Sequence, residues 1–533
     1  MNRPQSIRTF HRLRKGRFLG MLLLMAKQSI TPRAQNFPQW YQDVISKAPD
    51  LYDESPVTGC ITFGPLGTRL WEHIKGFLDP TFRAMGVENI LLPTLIPESF
   101  FNREKEHVEG FAPEAAVVTH AGGAKLAEPY FVRPTSELLF VDWYARSGRV
   151  QSYRDLPLLV NQWGSVVRWE KRPRAFLRTT EFYWHEGHCI FATKDQCRMF
   201  TLAILDVFAD LCENVLAIPV IKGDKPDHEK FAGADGTFTI ESMMQDGKAL
   251  QMGTSHMLSQ NFLIDSDGTP RVSFLNEKEE RTVPYYDSWA VSSRLIGAMF
   301  MAHGDDDGIV IPPKAAPVQV AILPITSADA GENEKVLKAA RDLAISISGN
   351  KRIFSLHGRS NAFEETSGEL TVRIDARDMR LGDKTFYQIH MGTPVRIELG
   401  ARDLAENSCV IKSRIRSRDE AVKAPLSKAP EIVKKMLEED QATLLKRAQE
   451  MRQQRTVEAK TYDDVKAALD EGKWALIPWD GTPETVAKLK SETSGGTYRC
   501  FAFDAKEDAT DMTDPVSGKK SAFAKKIYVA KAY

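Results

Sequence analysis

The stretch RWEKRPRAFLRTTEFYWHEGH, Arg168 to His188, constrains the fold more than any other part of the chain. Aromatic and β-branched residues flank a short basic loop, Lys171–Ala175, turned by Pro173. Trp163–Glu170 and Phe176–His188 are therefore predicted as strands of one antiparallel hairpin. Alternate residues of a strand share a face. One face of the second strand carries Arg178, Thr180, Phe182, Trp184, Glu186 and His188, and the other Leu177, Thr179, Glu181, Tyr183 and His185. Arg168 and Glu170 share a face of the first strand. A core face would not hold these arginines and glutamates, because buried charge is costly unless paired. A solvent face seldom displays rings such as Phe182 and Trp184. Guanidinium forks beside flat rings suit a polyanion that carries an aromatic base. An aromatic-rich sheet with surface ion pairs is the alternative.

At 533 residues the chain has room for about three domains. Lys+Arg and Asp+Glu both number 71, which excludes a generic basic coat for nucleic acid and leaves only local patches for such contacts. The six cysteines form no CxxC pair, so reduced thiols in the cytoplasm fit better than a disulfide framework or a zinc ribbon. No apolar run reaches the ~20 residues that span a bilayer, and no membrane partner is expected. Residues 1–25 form a basic extension in which Arg3 to Arg17 precede the apolar run Phe18–Met25. The expected reading is a disordered or non-native leader ahead of a start at Met25, with a targeting peptide as the alternative.

From Asn36 to Pro313 helices and strands alternate. Trp40–Ala48 is predicted helical and Gly59–Phe63 a strand, after which Thr68 caps a helix over Arg69–Met85. Val87–Pro93 reads as a strand that ends in proline, which marks an edge or a subunit boundary. Residues 110–128 read as a strand and hairpin leading to VRPTSE, where Thr135 or Ser136 would cap a helix over Glu137–Ala145. A hydroxyl and a carboxylate at that helix start, Thr135 and Glu137, could seat an amine; a plain cap is the alternative. Met199–Val215 is predicted as a helix, and Asp246-Gly247 turns a hairpin between Phe238–Gln245 and Lys248–Gly253. Gln251, Thr254 and His256 then fall where strand should give way to helix. Tyr285–Ser292 is a strand, Arg294–His303 a helix, and Gly308–Ile311 a strand. Asp305-Asp306-Asp307-Gly308 reads as a solvated turn rather than a metal site.

The motifs SPVTGC (55–60), VRPTSE (132–137), RWE…FLRTTEF…EGH (168–188), FAGA (231–234), LQMGTSH (250–256) and SSRLIGAMFMAHGDD (292–306) agree in order and spacing. Together they resemble the class II aminoacyl-tRNA synthetases, and closely the prolyl-tRNA synthetases of the archaeal/eukaryotic-like type. The resemblance runs from about Ala26 to Tyr533. It implies an α+β fold with a class II antiparallel-sheet catalytic domain (26–313), an α/β anticodon-binding domain (317–418) and a small α/β C-terminal domain (425–533). The implied activity is a cytoplasmic ligase that joins L-proline to tRNA(Pro) with ATP and Mg²⁺, working as a homodimer.

Residue by residue, the resemblance implies that Arg168 and Arg294 are the catalytic arginines. Arg168, Glu170, Arg178, Thr179, Phe182, Gln251, Thr254 and Arg294 would contact ATP, with Phe182 under adenine. Thr135, Glu137, Trp184, Glu186, His188, Phe231 and His256 would take proline, and Glu241 would help hold Mg²⁺. Pro93 falls in the segment that forms the dimer interface in this class. Adenylate formation needs positioning and charge neutralisation, because the attacking carboxylate is already an anion. Between His188 and Arg294 there is no room for the large editing insert of some bacterial relatives.

Beyond Pro317, predicted strands at Val318–Leu323, Leu370–Asp375 and Pro394–Leu399 alternate with helices, as in the family's anticodon-binding domain. Arg377 and Lys384 are expected to reach anticodon bases, since their donors suit guanine acceptors; solvated surface charge is the alternative. A charged helix over 430–456 leads to the C-terminal domain, which in many family members holds zinc on four cysteines. Here Asp480, Thr485 and Gly518–Ala524 fall in those regions and Cys500 alone remains, so no zinc is expected. Ser259 stands where glycine is usual, and Tyr533 matches a family end that tucks towards the active site. The rivals are a tRNA-binding paralogue without activity, which should have lost Arg168, Arg294 or the TSE group, and a threonyl or glycyl synthetase, against which FAGA and VRPTSE argue.

Overall fold

The computed structural model describes residues 30–103, 115–355 and 363–533. The basic extension 1–25 and the first residues of the predicted 110–128 hairpin lie outside the described residues. An eleven-stranded sheet runs through the molecule. Its strands, in spatial order, are Thr456–Glu458, Trp474–Ile477, Ile527–Lys531, Gly496–Ala502, Ile221–Asp224, Gly236–Met243, Ala249–Ser259, Tyr285–Ser292, Glu181–Phe191, Leu158–Val167 and Glu88–Asn89. Pairing is parallel only between the two outermost strands at either end. The four central strands are long, so the period-2 alternation sends one set of side chains into a core and the next into a cleft.

On the core side the helices Pro65–Ala84, Lys194–Asp210 and Arg294–His303 supply Leu70, Phe82, Ile204, Phe208, Leu295 and Phe300. The His185 ring stacks on Phe82 at 4.6 Å and lies 4.9 Å from Trp289. Gly187, next on that face, has no alternative: a Cβ there would come within 2.1 Å of the Trp289 ring. The strand Glu88–Asn89 is a sheet edge, which agrees with the expectation from its terminal proline.

Residues 320–425 build a second, seven-stranded sheet whose three inner strands, Thr371–Asp375, Val320–Pro324 and Val395–Leu399, run parallel. Helices Ala330–Ser348 and Ala429–Gln454 cover one face with Val336, Leu343, Val433 and Met436, all buried. The C-terminal module does not form a separate sheet. Its strand Gly496–Ala502 pairs with Ile221–Asp224, so the central sheet continues into it. Among the described residues no helix is long and apolar enough to cross a membrane.

Several expected elements differ in extent, each for a local reason. Phe176–Thr180 is not strand: the Arg174 amide donates to the Arg178 carbonyl (2.6 Å), closing a turn. Phe176 takes a left-handed φ of 64° there and packs its ring edge-on against Phe63 at 5.1 Å. The hairpin strands therefore pair from Leu158 to Val167 and from Glu181 to Ile190. The helix expected from Arg69 begins at Pro65, which suits a first-turn position because it has no amide to leave unpaired. Neither Thr135 nor Ser136 caps the helix Glu137–Ser147, since their hydroxyls bond to Glu137 and Glu186 instead. The strand beginning at Ala249 continues through Gln251, Thr254 and His256 to Ser259, laddered on both sides. Gly308–Ile311 has no sheet partner; Ile309 and Ile311 are buried all the same. The acidic turn Asp305–Asp307 closes on Gly308, and Arg414 forks onto Asp305 at 2.6 Å on both oxygens.

Candidate active site

The cleft opens on the face of the central strands turned away from Phe82 and Trp289. Thr135, Glu137, Arg168, Phe182, Trp184, Glu186, His188, Phe231, Gln251, Thr254, His256 and Arg294 all line it. Phe182, Trp184, Glu186 and His188 are consecutive members of one strand face, as the alternation predicts.

One end is a closed hydrogen-bond network. Glu186 accepts on Oε1 from the Ser136 hydroxyl (2.5 Å) and from Gln162 Nε2 (2.6 Å), and its Oε2 lies 3.1 Å from His188 Nε2. His188 Nδ1 lies 2.6 Å from the Tyr286 hydroxyl, and the His188 ring stacks on Phe140 at 4.0 Å. The Thr135 hydroxyl donates to Glu137. Burial raises the Glu137 pKa; His188 opposes that shift and Glu186 adds to it. Phe231 packs 4.8 Å from the His256 ring. Burial drives the His256 pKa down to about 3, with His188 and Arg168 adding to the shift, so the imidazole is neutral. Two carboxylates set among rings can receive a cationic amine attached to an apolar body.

The other end is cationic. Arg168 donates through Nε to the Pro134 carbonyl (3.0 Å), with its guanidinium 5.4 Å from the Phe182 ring centre and 5.5 Å from that of Trp184. Arg294 donates through Nε to the Leu177 carbonyl (3.0 Å) and through Nη1 to the Gln251 carbonyl (3.5 Å). Burial, then Arg178 and Arg168, lower the Arg294 pKa to about 10: the guanidinium stays charged in a site with surplus positive charge. Such a site is complementary to phosphates.

Other expected residues sit elsewhere. Glu170 and Arg178 face each other at 3.6 Å in the turn, and the Thr179 hydroxyl donates to the Glu181 carbonyl (2.7 Å); none of the three lines the cleft. Glu241, expected to help hold Mg²⁺, is engaged by side chains of this chain. Its buried carboxylate meets Lys225 Nζ at 3.0 Å and Arg499 Nη2 at 3.1 and 3.0 Å, so both oxygens are already engaged by cationic side chains. Among the described residues no group of three or more His, Cys, Asp or Glu could hold a metal ion. Arg377 forks onto Asp375 (2.7 and 2.6 Å) and stacks 4.0 Å from the Tyr387 ring centre; Lys384 donates to the Pro324 carbonyl (2.8 Å). Both are buried inside the seven-stranded domain. Asp480 accepts from Thr482 and Thr485, and Cys500 is buried. Tyr533 bonds to Asp246 (2.7 Å) and lies against Arg174 of the turn. Ser259 has a left-handed φ of 54°, a conformation that favours glycine, and its hydroxyl bonds to Asp235.

Sequence reasoning missed Ser136 and Gln162 as partners of Glu186, and Tyr286 as the partner of His188. Gln162 lies directly across from Glu186 in the hairpin register, so an outward extension of the pairing would have found it. Tyr286 is 98 positions from His188 and carries no local signal.

Three family models match: a tRNA synthetase class II core domain (G, H, P, S and T) at residues 123–303, an anticodon binding domain at 319–436, and a prolyl-tRNA synthetase C-terminal domain at 462–533. A proline–tRNA ligase of Roseiflexus sp. (strain RS-1) is 42% identical over 96% of this chain and 100% of its own length. One from Chloroherpeton thalassium is 43% identical over 92% of this chain and 96% of its own length. One from Parabacteroides distasonis is 40% identical over 96% of this chain and all of its own length. With three family models matched in order and relatives at 40–43% identity over more than nine-tenths of its length, this chain belongs to the prolyl-tRNA synthetase family of class II tRNA synthetases.

Proposed function

We propose that the cleft activates L-proline with ATP and passes it to the 3′ end of tRNA(Pro), with the carboxylate and ring end taking proline and the arginine end taking ATP. The observation that carries this reading is the convergence of twelve motif residues on one cleft with opposite electrostatics at its two ends. Glu137 and Thr135 receive the secondary ammonium, while Trp184, Phe231 and His256 enclose the ring. Glu186, fixed by Ser136, Gln162 and His188, sets the floor. The proline carboxylate then points towards the nucleotide, with Phe182 under the adenine.

In the first step a carboxylate oxygen bonds to the α-phosphorus, the bond from that phosphorus to the α,β-bridging oxygen breaks, and pyrophosphate leaves. Arg168 and Arg294 neutralise the charge that grows on the phosphoryl oxygens, and their backbone anchors keep them aligned so that little reorganisation is needed. In the second step a ribose hydroxyl of the tRNA attacks the acyl carbon and AMP leaves. Magnesium enters as the counter-ion of ATP, and no residue here is assigned to it.

Further parts of the reading rest on narrower support. The absence of an editing insert rests on residues 192–284, which form a helix, short loops, strands of the central sheet and one small two-stranded hairpin. A homodimer rests on the edge strand Glu88–Asn89, followed by Leu91 at 83% exposure. A cytoplasmic setting rests on six cysteines that are all free. A zinc-free C-terminal module rests on Asp480 and Thr485 being engaged with each other. The test is amino-acid-dependent exchange of pyrophosphate into ATP across a panel of amino acids. Strong exchange with proline and weak exchange with alanine are expected; no exchange with any amino acid would favour a tRNA-binding protein.

A further inference from the structure

Thr237, Thr239 and Glu241 follow one another along the strand Gly236–Met243, directly across from His256, Thr254 and Gln251. Those three partners all line the cleft. Glu241 is the buried end of this row, and it sits at a break in register between Ile240 and Glu241. The extra residue there is Met252, and the ladder is locally disrupted beside Glu241.

The contacts of Glu241 come from outside the catalytic motifs. Lys225 bonds Glu241 at 3.0 Å and reaches Glu229, a cleft residue, at 3.4 Å. Arg499 crosses from the strand Gly496–Ala502, 258 positions away, to both oxygens of Glu241 (3.1 and 3.0 Å). Burial alone would raise the Glu241 pKa; Lys225 and Arg499 outweigh it and hold the carboxyl below its ordinary range. Across the register break Gln251 offers its carbonyl to Arg294 Nη1 at 3.5 Å.

We propose that Arg499, contributed by the C-terminal module, is a positioning residue for the nucleotide end of the cleft: by pinning Glu241 it fixes Gln251 and, through the Gln251 carbonyl, Arg294. This rests on the assignment of Gln251 and Arg294 to ATP. One nitrogen of the guanidinium, Nη2, reaches both oxygens of Glu241, while Nη1 donates to the Thr497 hydroxyl (3.1 Å).

The test compares the full-length chain with Arg499→Leu and Arg499→Lys, measuring pyrophosphate exchange with ATP and proline varied separately, alongside melting temperature. Arg499→Leu should lower kcat/KM for ATP by roughly 30-fold, leave KM for proline within about twofold, and be partly rescued by lysine. Equal losses for both substrates, or a lowered melting temperature with unchanged kinetics, would overturn the proposal. If Arg499→Leu does not fold, the Arg499→Leu/Glu241→Gln double variant leaves no excess buried anion. It should recover folding and keep the ATP defect; loss of the defect would overturn the idea. Equilibrium ATP binding without proline separates the two readings. A wild-type chain without proline-dependent exchange defeats the functional assignment, whereas the role of Arg499 is decided by whether Arg499→Leu weakens ATP binding.

Discussion

The two ends of the cleft are built on opposite principles. At the carboxylate end, Glu186, His188, Ser136, Gln162 and Tyr286 satisfy one another before any ligand arrives. At the arginine end, Arg168 and Arg294 bond to carbonyl oxygens of Pro134, Leu177 and Gln251, which orient the guanidiniums. A small amino acid offers few atoms to recognise, so discrimination needs a rigid, fully bonded wall. A triphosphate brings abundant charge, so a site for one needs chiefly to hold cations in register.

The sharpest way to break this contrast is at the cationic end. Arg168→Ala should reduce proline-dependent exchange on the order of 10²–10³-fold, and Arg168→Lys should recover little, because a point charge replaces a planar fork. Steady-state exchange kinetics of the two variants decide it; near-normal rates would show that backbone anchoring of Arg168 is incidental. At the other end, Glu186→Gln should raise KM for proline by roughly 10–100-fold and leave KM for ATP unchanged, since it unsettles bonds to Ser136, Gln162 and His188 together. A matching rise in KM for ATP would show that the ends are not separable.

The smallest effect sharpens the contrast on the back of the same strand, where His185 is buried with neither ring nitrogen bonded. Burial lowers its pKa to about 3, below its value near 6.5 in the unfolded chain. As pH falls below about 6.5 the unfolded chain binds a proton that the fold refuses, so stability is lost from there down to about pH 3, by at most ~1.4 kcal/mol per pH unit. His185→Phe should therefore lose less melting temperature between pH 7 and pH 5 than the wild type. An unchanged slope would mean that His185 is protonated in the fold.

The strand alternation of residues 182–188 was legible because one face must hold charge and the other cannot, and the motif spacing brought twelve residues to one cleft. Phe176 was misread because its ring looks like strand composition, while the turn that buries it depends on Phe63 and Phe300, far away in sequence. The pairing of Glu241 with Arg499 was not legible, because Arg499 lies on a strand that no local pattern ties to it. The burial of Arg377 and Lys384 was not legible either, because bonds to Asp375 and to the Pro324 carbonyl leave no trace in composition. Sequence reasoning finds what one strand dictates, and misses what two distant strands decide between them.

The continuity of the central sheet carries a consequence for biosynthesis. The strand Ile221–Asp224 pairs on one side with Gly236–Met243, made moments later, but on the other with Gly496–Ala502. At roughly 5–20 residues per second, that outer edge waits on the order of tens of seconds for its partner. During that interval it exposes unpaired amides and carbonyls, a template for the wrong strand. Lys222 and Asp224 on this edge are charged residues of the kind that discourage such pairing until the module made last arrives to close it.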